Sequence, residues 1–328
     1  MAAIALVRTS SLRPVLEFRE RFLAPSSRCL SLPQPGFRGA DSLVPLAYGG
    51  LLWEEAARAS GIEELGLRIG AATRIVELGE WGTALSRSLT VGAALETATR
   101  VSRRFNSGQS LWIVQRGEDV WLHRSLSDCL RRGRQEVNDF TLMLMLDLIR
   151  LAAGPAWRPS EIHLEGDPPR HAGELEALAE RRVLFRQPGM ALVFPRAVLA
   201  LQLPAISRAP ARTSRAPTPS TNFAVSVRQA LGSLVGLGVP RLELAAEVAG
   251  MSQRSFQRRL AEAGLKFGRL VEEARFEAAR RMLRDPGVKI VEISAQLGYR
   301  DSANFTRAFR RWTGVAPQVF RRITELRP

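Results

Sequence analysis

Two similar stretches lie in the last third of the chain, and this internal repeat constrains the fold more than any other feature. The first copy reads RLELAAEVAGMSQRSFQRRLAEAG, and the second reads KIVEISAQLGYRDSANFTRAFRRWTG. Aligned on Gly250 and Gly298, the copies match at their apolar positions on both sides of the glycine, with one extra residue in the second turn. Each copy predicts a helix, a turn and a second helix, over residues 242–264 and 290–314.

The residues around each glycine indicate a helix-turn-helix rather than a simple helical hairpin. We expect the glycine to adopt a positive φ that sends the chain sharply into the second helix. Ser252 and Asp301 stand where an N-cap begins that helix. A small residue lies four positions before each glycine, where the two helices approach closely; these residues are Ala246 and Ser294. The aromatic anchors that follow are Phe256 and Phe305.

The second helix of each unit carries polar side chains of the kinds that recognise base edges in a major groove. The candidate base-reading residues, which helical spacing places on the outward faces, are Arg254, Gln257 and Arg258 in the first unit and Ser302, Asn304, Thr306 and Arg307 in the second. Candidate phosphate contacts nearer the flanks are Arg259, Arg310 and Arg311. A solvated polar helix face is the alternative interpretation of one such helix, but it does not explain two matched copies.

The distribution of charge also points to a polyanion as partner of the C-terminal half. The net charge is +15, yet residues 1–203 hold 25 basic and 22 acidic residues, whereas residues 221–328 hold 19 basic and 10 acidic residues. An asymmetry of this sign is typical of proteins that bind nucleic acid. A solvated basic surface remains the alternative from charge alone.

A long amphipathic helix is predicted between the two units, over Phe267–Arg284, and the sequence Asp285-Pro286-Gly287 ends it. A rod of about 18 residues is roughly 27 Å long. We expect this spacer to hold two recognition helices about one duplex turn apart on the same face of DNA.

A stretch with four prolines, Leu203–Asn222, divides the chain into two domains. We predict an α+β sensor domain at 1–203, a Pro/Arg-rich linker at 204–221 and an all-α DNA-binding domain at 222–328. The predicted helices of the first domain are Ser42–Ser60, Thr90–Arg104 and Arg134–Ala153. Its predicted strands are Ser110–Val114, Val120–Leu126, Glu161–Glu165, Val183–Phe185 and Ala191–Phe194, with a hairpin between the first two.

Nothing in the sequence predicts a catalytic residue, a metal site or a cofactor. The two cysteines, Cys29 and Cys129, are a hundred residues apart, and the three histidines have no partner at metal-ligand spacing. Without a secretory signal or a membrane-spanning stretch, a cytoplasmic protein is expected. Two alternatives stay open: an enzyme with an unrecognised reactive cysteine, and an architectural protein that binds DNA through charge alone.

The C-terminal motifs resemble the AraC/XylS family of bacterial regulators over about 222–324. GYRDSANFTRAFRRWTGVAPQVFR (298–321) is similar to the family signature, and ARFEAARRMLRD (274–285) is similar to its linker helix. By the family's pattern, the residues that reach bases are the seven named above. Met251 replaces the more frequent aromatic residue after the first glycine.

The N-terminal domain is similar to the arabinose-binding-type effector domain of one branch of this family. The similarity lies in three segments, 44–70, 157–169 and 183–204, whereas residues 76–83 fit less well. The resemblance implies a small-molecule effector, without identifying the residues that contact it. It also implies double-stranded DNA as a partner, RNA polymerase as a further partner of an activator, a homodimer through the N-terminal domain, and association with the bacterial nucleoid.

Overall fold

The computed structural model describes residues 3–23, 42–204, 217–235 and 240–325. These residues form two compact units. The first, termed the sheet unit, comprises residues 7–23, 46–204 and 217–219. The second, termed the helical unit, comprises residues 3–6, 42–45, 220–235 and 240–325. The helical unit therefore includes two N-terminal segments besides the predicted DNA-binding domain. The boundaries 1–203, 204–221 and 222–328 stay a prediction, and residues 205–216 of the linker lie outside the described residues.

Two short strands, β1 (Leu6–Arg8) and β2 (Leu43–Pro45), form a two-stranded sheet that the sequence did not predict. The helix predicted over Ser42–Ser60 consequently begins only at Leu46. The reason is local, because Pro45 disfavours the helical conformation for the residue before it and so keeps Val44 extended.

The sheet unit contains seven α-helices and five further strands in its described part. The helices are α1 (Arg13–Phe22), α2 (Leu46–Ser60), α3 (Leu65–Ala72), α4 (Gly79–Leu85), α5 (Val91–Phe105), α6 (Arg134–Ala153) and α7 (Ala172–Glu176). The strands are β3 (Gln109–Arg116), β4 (Asp119–Leu126), β5 (Glu161–His163), β6 (Arg182–Leu184) and β7 (Met190–Pro195). The α+β class predicted for this part of the chain is confirmed.

The five strands form one sheet in the order β3-β4-β7-β5-β6, antiparallel except for the pair β5 and β6. The predicted hairpin is confirmed, since β3 and β4 pair from Gln109 with Leu126 to Arg116 with Asp119. Side chains alternate between the two faces of a strand. In β4 the buried face carries Val120, Leu122, Arg124 and Leu126. A charged residue thus occupies one of four core positions in this strand.

The long helix α6 has the predicted bounds, and its apolar side chains are buried almost all round. Helix α3 packs closely against it at two glycines. A Cβ atom added to Gly66 would overlap the carbonyl oxygen of Glu136, and one added to Gly70 would lie 2.6 Å from the Cβ of Met143. The backbones of α3 and α6 approach this closely because neither glycine has a side chain.

We expect Gly66→Ala to lower the stability of the protein by about 1–3 kcal/mol, because the added methyl group overfills a packed interface. The measurement is the thermal melting temperature of the full chain. Gly173→Ala in α7 is the matched control, since nothing lies within 4 Å of a Cβ atom added there. Equal melting temperatures for the two variants would show that the α3–α6 contact has room for a methyl group.

The helical unit contains seven α-helices in its described part. These are α8 (Phe223–Leu234), α9 (Leu242–Val248), α10 (Gln253–Glu262), α11 (Phe267–Leu283), α12 (Ile290–Gln296), α13 (Ser302–Thr313) and α14 (Pro317–Glu325). Its N-terminal segments join α8: β2 packs against that helix, and the amide of Ile4 donates to the buried Oγ of Ser226 at 2.9 Å. The all-helical class predicted for the C-terminal domain is confirmed.

The spacer helix α11 is 17 residues long and contacts α8, α12 and α14. Its length is therefore about 25 Å. The apolar face of α11 is buried at Leu270, Ala274 and Ala278, and Leu283 is its last buried position. Among the described helices, none is both long and apolar enough to cross a membrane.

Candidate nucleic-acid interface

The two turns of the repeat have the same backbone geometry. Gly250 has φ 69° and Gly298 has φ 74°, which confirms the positive φ predicted for both. In each turn, the amide that follows the glycine donates to the carbonyl oxygen of the small residue four positions before it: Met251 to Ala246 at 2.9 Å, and Tyr299 to Ser294 at 3.0 Å. Both small residues are buried. The repeat in the sequence is therefore a repeat in structure.

Each second helix begins at the predicted N-cap. The Oγ of Ser252 accepts from the amide of Ser255 at 3.2 Å, and Oδ1 of Asp301 accepts from the amide of Asn304 at 2.6 Å. These bonds satisfy backbone N–H groups that have no partner inside the first turn of a helix. The carboxylate at the start of α13 is also favoured by the positive end of the helix dipole.

Aromatic side chains hold both second helices against the rest of the unit. Phe256 of α10 is fully buried and meets Phe223 and Phe267 edge to face, with ring centroids 6.4 and 6.3 Å away. In α13, Phe305 and Phe309 are both fully buried. The ring of Phe309 meets aromatic rings of α11 and α14; these are Phe276 at 6.1 Å and Phe320 at 5.3 Å. The outward faces of α10 and α13 are thus set by packing.

The residue after each glycine contacts an arginine. Arg275 of α11 lies over the ring of Tyr299, 4.9 Å from its centroid, and burial raises the pKa of the Tyr299 hydroxyl, so this residue is neutral at physiological pH. In the first helix-turn-helix, Nη1 of Arg259 lies 3.5 Å from the sulfur of Met251. The thioether thus takes the place of the aromatic ring beside a guanidinium.

The three candidate base-reading residues of α10 lie on its exposed surface: Arg254, Gln257 and Arg258. Nε of Arg258 is 3.6 Å from a carboxylate oxygen of Glu262, and both side chains are largely exposed. An exposed pair of this kind contributes little to stability, so its guanidinium can exchange the carboxylate for a DNA base at small cost.

In α13 only Arg307 of the four candidates is exposed, whereas Ser302, Asn304 and Thr306 are half-buried. Thr306 donates through Oγ1 to the carbonyl oxygen of Ser302 at 2.7 Å. This bond uses its hydroxyl proton inside the helix, so the Thr306 side chain offers an outside ligand its methyl group and oxygen lone pairs.

Asn304 connects the N-cap of α13 to Arg307. Its Nδ2 donates to Oδ2 of Asp301 at 2.8 Å, and its Oδ1 accepts from Nη2 of Arg307 at 2.6 Å. This chain of hydrogen bonds orients the Arg307 guanidinium before any ligand is bound. In this arrangement Asn304 acts on Arg307 as a positioning residue.

The three candidate phosphate contacts differ in their surroundings. Arg310 is exposed, whereas the half-buried Arg259 lies over the Phe223 ring, 5.6 Å from its centroid. Arg311 is exposed and pairs with Glu272 of α11 at 2.7 Å. Arg311 therefore links α13 to the spacer helix in the structure, and it has to leave Glu272 to contact a phosphate.

Gln253, the first residue of α10, and Arg300, which precedes the Asp301 N-cap of α13, are also exposed and were not among the candidates. The N-terminal residues of a recognition helix are the ones nearest the base edges in helix-turn-helix complexes. Their position beside the N-caps is a signal that the sequence already contains. Among the described residues, no group of three His, Cys, Asp or Glu side chains lies where it could hold a metal ion.

Comparison with known families decides where the chain belongs. The family model described as the arabinose-binding domain of AraC transcription regulators, N-terminal, matches residues 30–203, and a helix-turn-helix domain model matches residues 245–323. The first match alone covers more than half of the chain. The chain belongs to the AraC family of transcription regulators. The resemblance inferred from the C-terminal motifs and from the three N-terminal segments is confirmed.

Two curated relatives differ in how much of this chain they match. The ornithine utilization regulator of Pseudomonas aeruginosa is 24% identical over 268 residues, which are 80% of this chain and 79% of that protein. An uncharacterised HTH-type transcriptional regulator of Mycobacterium tuberculosis is 43% identical over 79 residues, which are 23% of each chain. This match therefore spans about a quarter of the mycobacterial relative. Among solved structures, the transcriptional regulator CdpR from Pseudomonas aeruginosa is similar with 19% identity, a TM-score of 0.43, and coverage of 95% of this chain and 98% of that one.

We expect Asp301→Ala to destabilise α13 by about 1 kcal/mol, because it removes the side-chain acceptor for the Asn304 amide. Native-state hydrogen exchange of the amides of 302–313 measures this change in the full chain. Asp301→Ser keeps an N-cap acceptor and is the matched control. If Ala and Ser variants exchange equally fast, capping does not stabilise this helix.

Proposed function

We propose that this chain is a sequence-specific DNA-binding transcription regulator that inserts α10 and α13 into two adjacent major grooves. The observation that carries the proposal is the pair of matched recognition helices, each oriented by the same glycine turn and each presenting exposed arginine. In α10 these arginines are Arg254 and Arg258, and in α13 Arg307. Because the two helix-turn-helix copies differ in sequence, a single chain would read an asymmetric site rather than a palindrome.

We assign base reading to the seven residues named from the sequence and phosphate contacts to Arg259, Arg310 and Arg311. The exposed positions support the first role most directly for Arg254, Gln257, Arg258 and Arg307. Arginine recognises guanine through two parallel hydrogen bonds. The Arg307 guanidinium is already oriented by its bond to Asn304, which lowers the entropy cost of that geometry. Ser302, Asn304 and Thr306 are half-buried on the same helix, so the exposed positions support base reading by these three residues less directly.

We further propose that the N-terminal domain, residues 1–203, binds a small-molecule effector. The match to an arabinose-binding family model supports this role, as does the relative whose name is ornithine utilization regulator, since that match spans 80% of this chain. Regulation rather than catalysis is the proposed activity, in association with the bacterial nucleoid. RNA polymerase as a partner of an activator and a homodimer through the N-terminal domain are further proposals, the latter tested by analytical ultracentrifugation.

We expect Arg258→Ala and Arg307→Ala each to weaken binding to the cognate site by about 1–3 kcal/mol and to relax specificity in one half of that site. The cognate site is first selected from random duplexes with the full chain. Fluorescence anisotropy then gives Kd for the selected site and for scrambled DNA. Arg310→Ala should weaken binding to all sequences alike, as expected for a phosphate contact.

Arg170→Ala is the matched control, because Arg170 is a highly exposed arginine of the sheet unit that pairs with Glu63. Its loss removes the same charge without touching α10 or α13. Uniform weakening by Arg258→Ala and Arg307→Ala on selected and scrambled DNA would contradict base reading. A steep salt dependence without preference between sequences would instead favour a non-specific architectural role.

A further inference from the structure

A buried arginine in the sheet unit has no function in the proposed interface with DNA. Arg124 lies on β4, and only 2% of the residue is exposed. By strand alternation it shares the buried face of β4 with Leu122 and Leu126. Arginine is almost never fully buried unless it is paired, so this position needs a physical explanation.

The hydrogen bonds of the Arg124 guanidinium are incomplete. Nη1 donates to Oδ1 of the buried Asn138 at 2.8 Å, and Nε donates to Oε1 of Gln109 across a long 3.4 Å. Nη2 is buried and has no hydrogen-bond partner in the described part of the chain. A guanidinium has five N–H donors, and the two on Nη2 therefore point at no acceptor.

The carboxylate whose charge acts on this arginine is already engaged by another group. Glu165 accepts from Nη2 of Arg134 at 2.7 Å. Burial lowers the pKa of the Arg124 guanidinium to about 10, with Glu165 acting in the opposite direction. The side chain is therefore charged at neutral pH, inside the protein and without a carboxylate of its own.

We propose that Arg124 is the anchor of the effector site and that it binds the carboxylate of a small monocarboxylate ligand. This inference rests on the proposed effector-responsive function and names its ligand class. A carboxylate matches the planar fork of a guanidinium, because its two oxygens accept from one N–H of Nη2 and from Nε, whose present bond to Gln109 is long. Arg124, Arg134 and Glu165 together carry one unbalanced positive charge. One negative charge neutralises it, whereas a phosphate dianion would leave an excess negative charge.

The surroundings of Arg124 favour a ligand with an apolar remainder. Its neighbours on the same face of β4 are leucines, and its register partner on β7 is the buried Met190. The half-buried Gln109 belongs to β3, which is the edge strand of the sheet. Because its bond to Nε is long, Gln109 is the group that an entering carboxylate displaces, and the ligand arrives from the β3 side.

The experiment measures the thermal melting temperature of the full chain with straight-chain monocarboxylates from acetate to octanoate. We expect at least one of them to raise the melting temperature by about 3–6 °C at roughly ten times its Kd. The matching neutral amide, octanamide for octanoate, should give no shift, since it lacks the charge. Sodium chloride and inorganic phosphate at equal ionic strength should also give none.

Two variants locate the site at Arg124. Arg124→Met keeps a long apolar side chain without the charge. We expect it to abolish the rise in melting temperature that the carboxylate causes, termed the carboxylate shift. Asn138→Asp places an internal carboxylate beside Nη1, so it should remove the shift while Arg124 is present and the fold is intact. The second variant keeps the test informative if the first does not fold. Arg170→Ala should retain the full shift.

Absence of a shift with every carboxylate, or equal shifts in the wild type and in Asn138→Asp, would overturn the inference. A shift with phosphate as large as with carboxylate would overturn the ligand class.

Binding of the selected DNA site is measured in parallel. Intact sequence-specific DNA binding without a carboxylate shift means that the Arg124 site is wrong and the proposed regulator stands. A carboxylate shift without sequence-specific DNA binding means that the Arg124 site is supported and the proposed DNA-binding regulator is wrong.

Discussion

The positive φ at two glycines is the constraint on which the rest of the helical unit depends. At Gly250 and Gly298 the chain turns within one residue, and the next amide bonds back to the small residue four positions before the glycine. A side chain at the glycine would be strained in this conformation, and a larger residue at Ala246 or Ser294 would push the helices apart. The same turn therefore fixes both recognition helices, and the burial of Phe256 and Phe305 then decides which of their faces is left outside.

Weak exposed ion pairs order the arginines of the proposed DNA interface, and breaking these pairs costs little free energy. Arg258 with Glu262 and Arg311 with Glu272 hold guanidinium groups in place at the surface. Exposed pairs contribute between zero and about 1 kcal/mol, which is less than a good contact to a base. Binding to DNA therefore replaces these glutamates without a large penalty. Arg307 differs because its neighbour Asn304 is neutral and need not be displaced to remove a competing charge.

Local signals in the sequence were sufficient where structure depends on neighbouring residues. The glycine turns, the N-caps at Ser252 and Asp301 and the bounds of α6 follow from patterns a few residues long. Contacts between distant segments are not written in such patterns, so β1, β2 and the bond from Ile4 to Ser226 were not predicted. Base-reading roles from the sequence stay predictions. The half-buried Asn304 bonds to Asp301 and Arg307, and these two contacts were not predicted. The inward position of Arg124 was not predicted, although the alternation in Val120–Leu126 places it on the same face as Leu122 and Leu126.

The two proposed binding functions use arginine in opposite environments, and the reason lies in the size of each partner. DNA offers many phosphates and base edges, so numerous weak contacts in water add up to a tight and salt-dependent complex. A small carboxylate makes few contacts, and each must be strong to offset the freedom that the ligand loses. Strong charge–charge attraction requires a low local dielectric, which an exposed side chain cannot provide. A buried guanidinium such as Arg124 has that environment, and the cost of burying it is recovered only when the anion arrives. This cost also makes the unliganded sheet unit less stable than the liganded one, which is the energy difference a ligand-responsive protein needs.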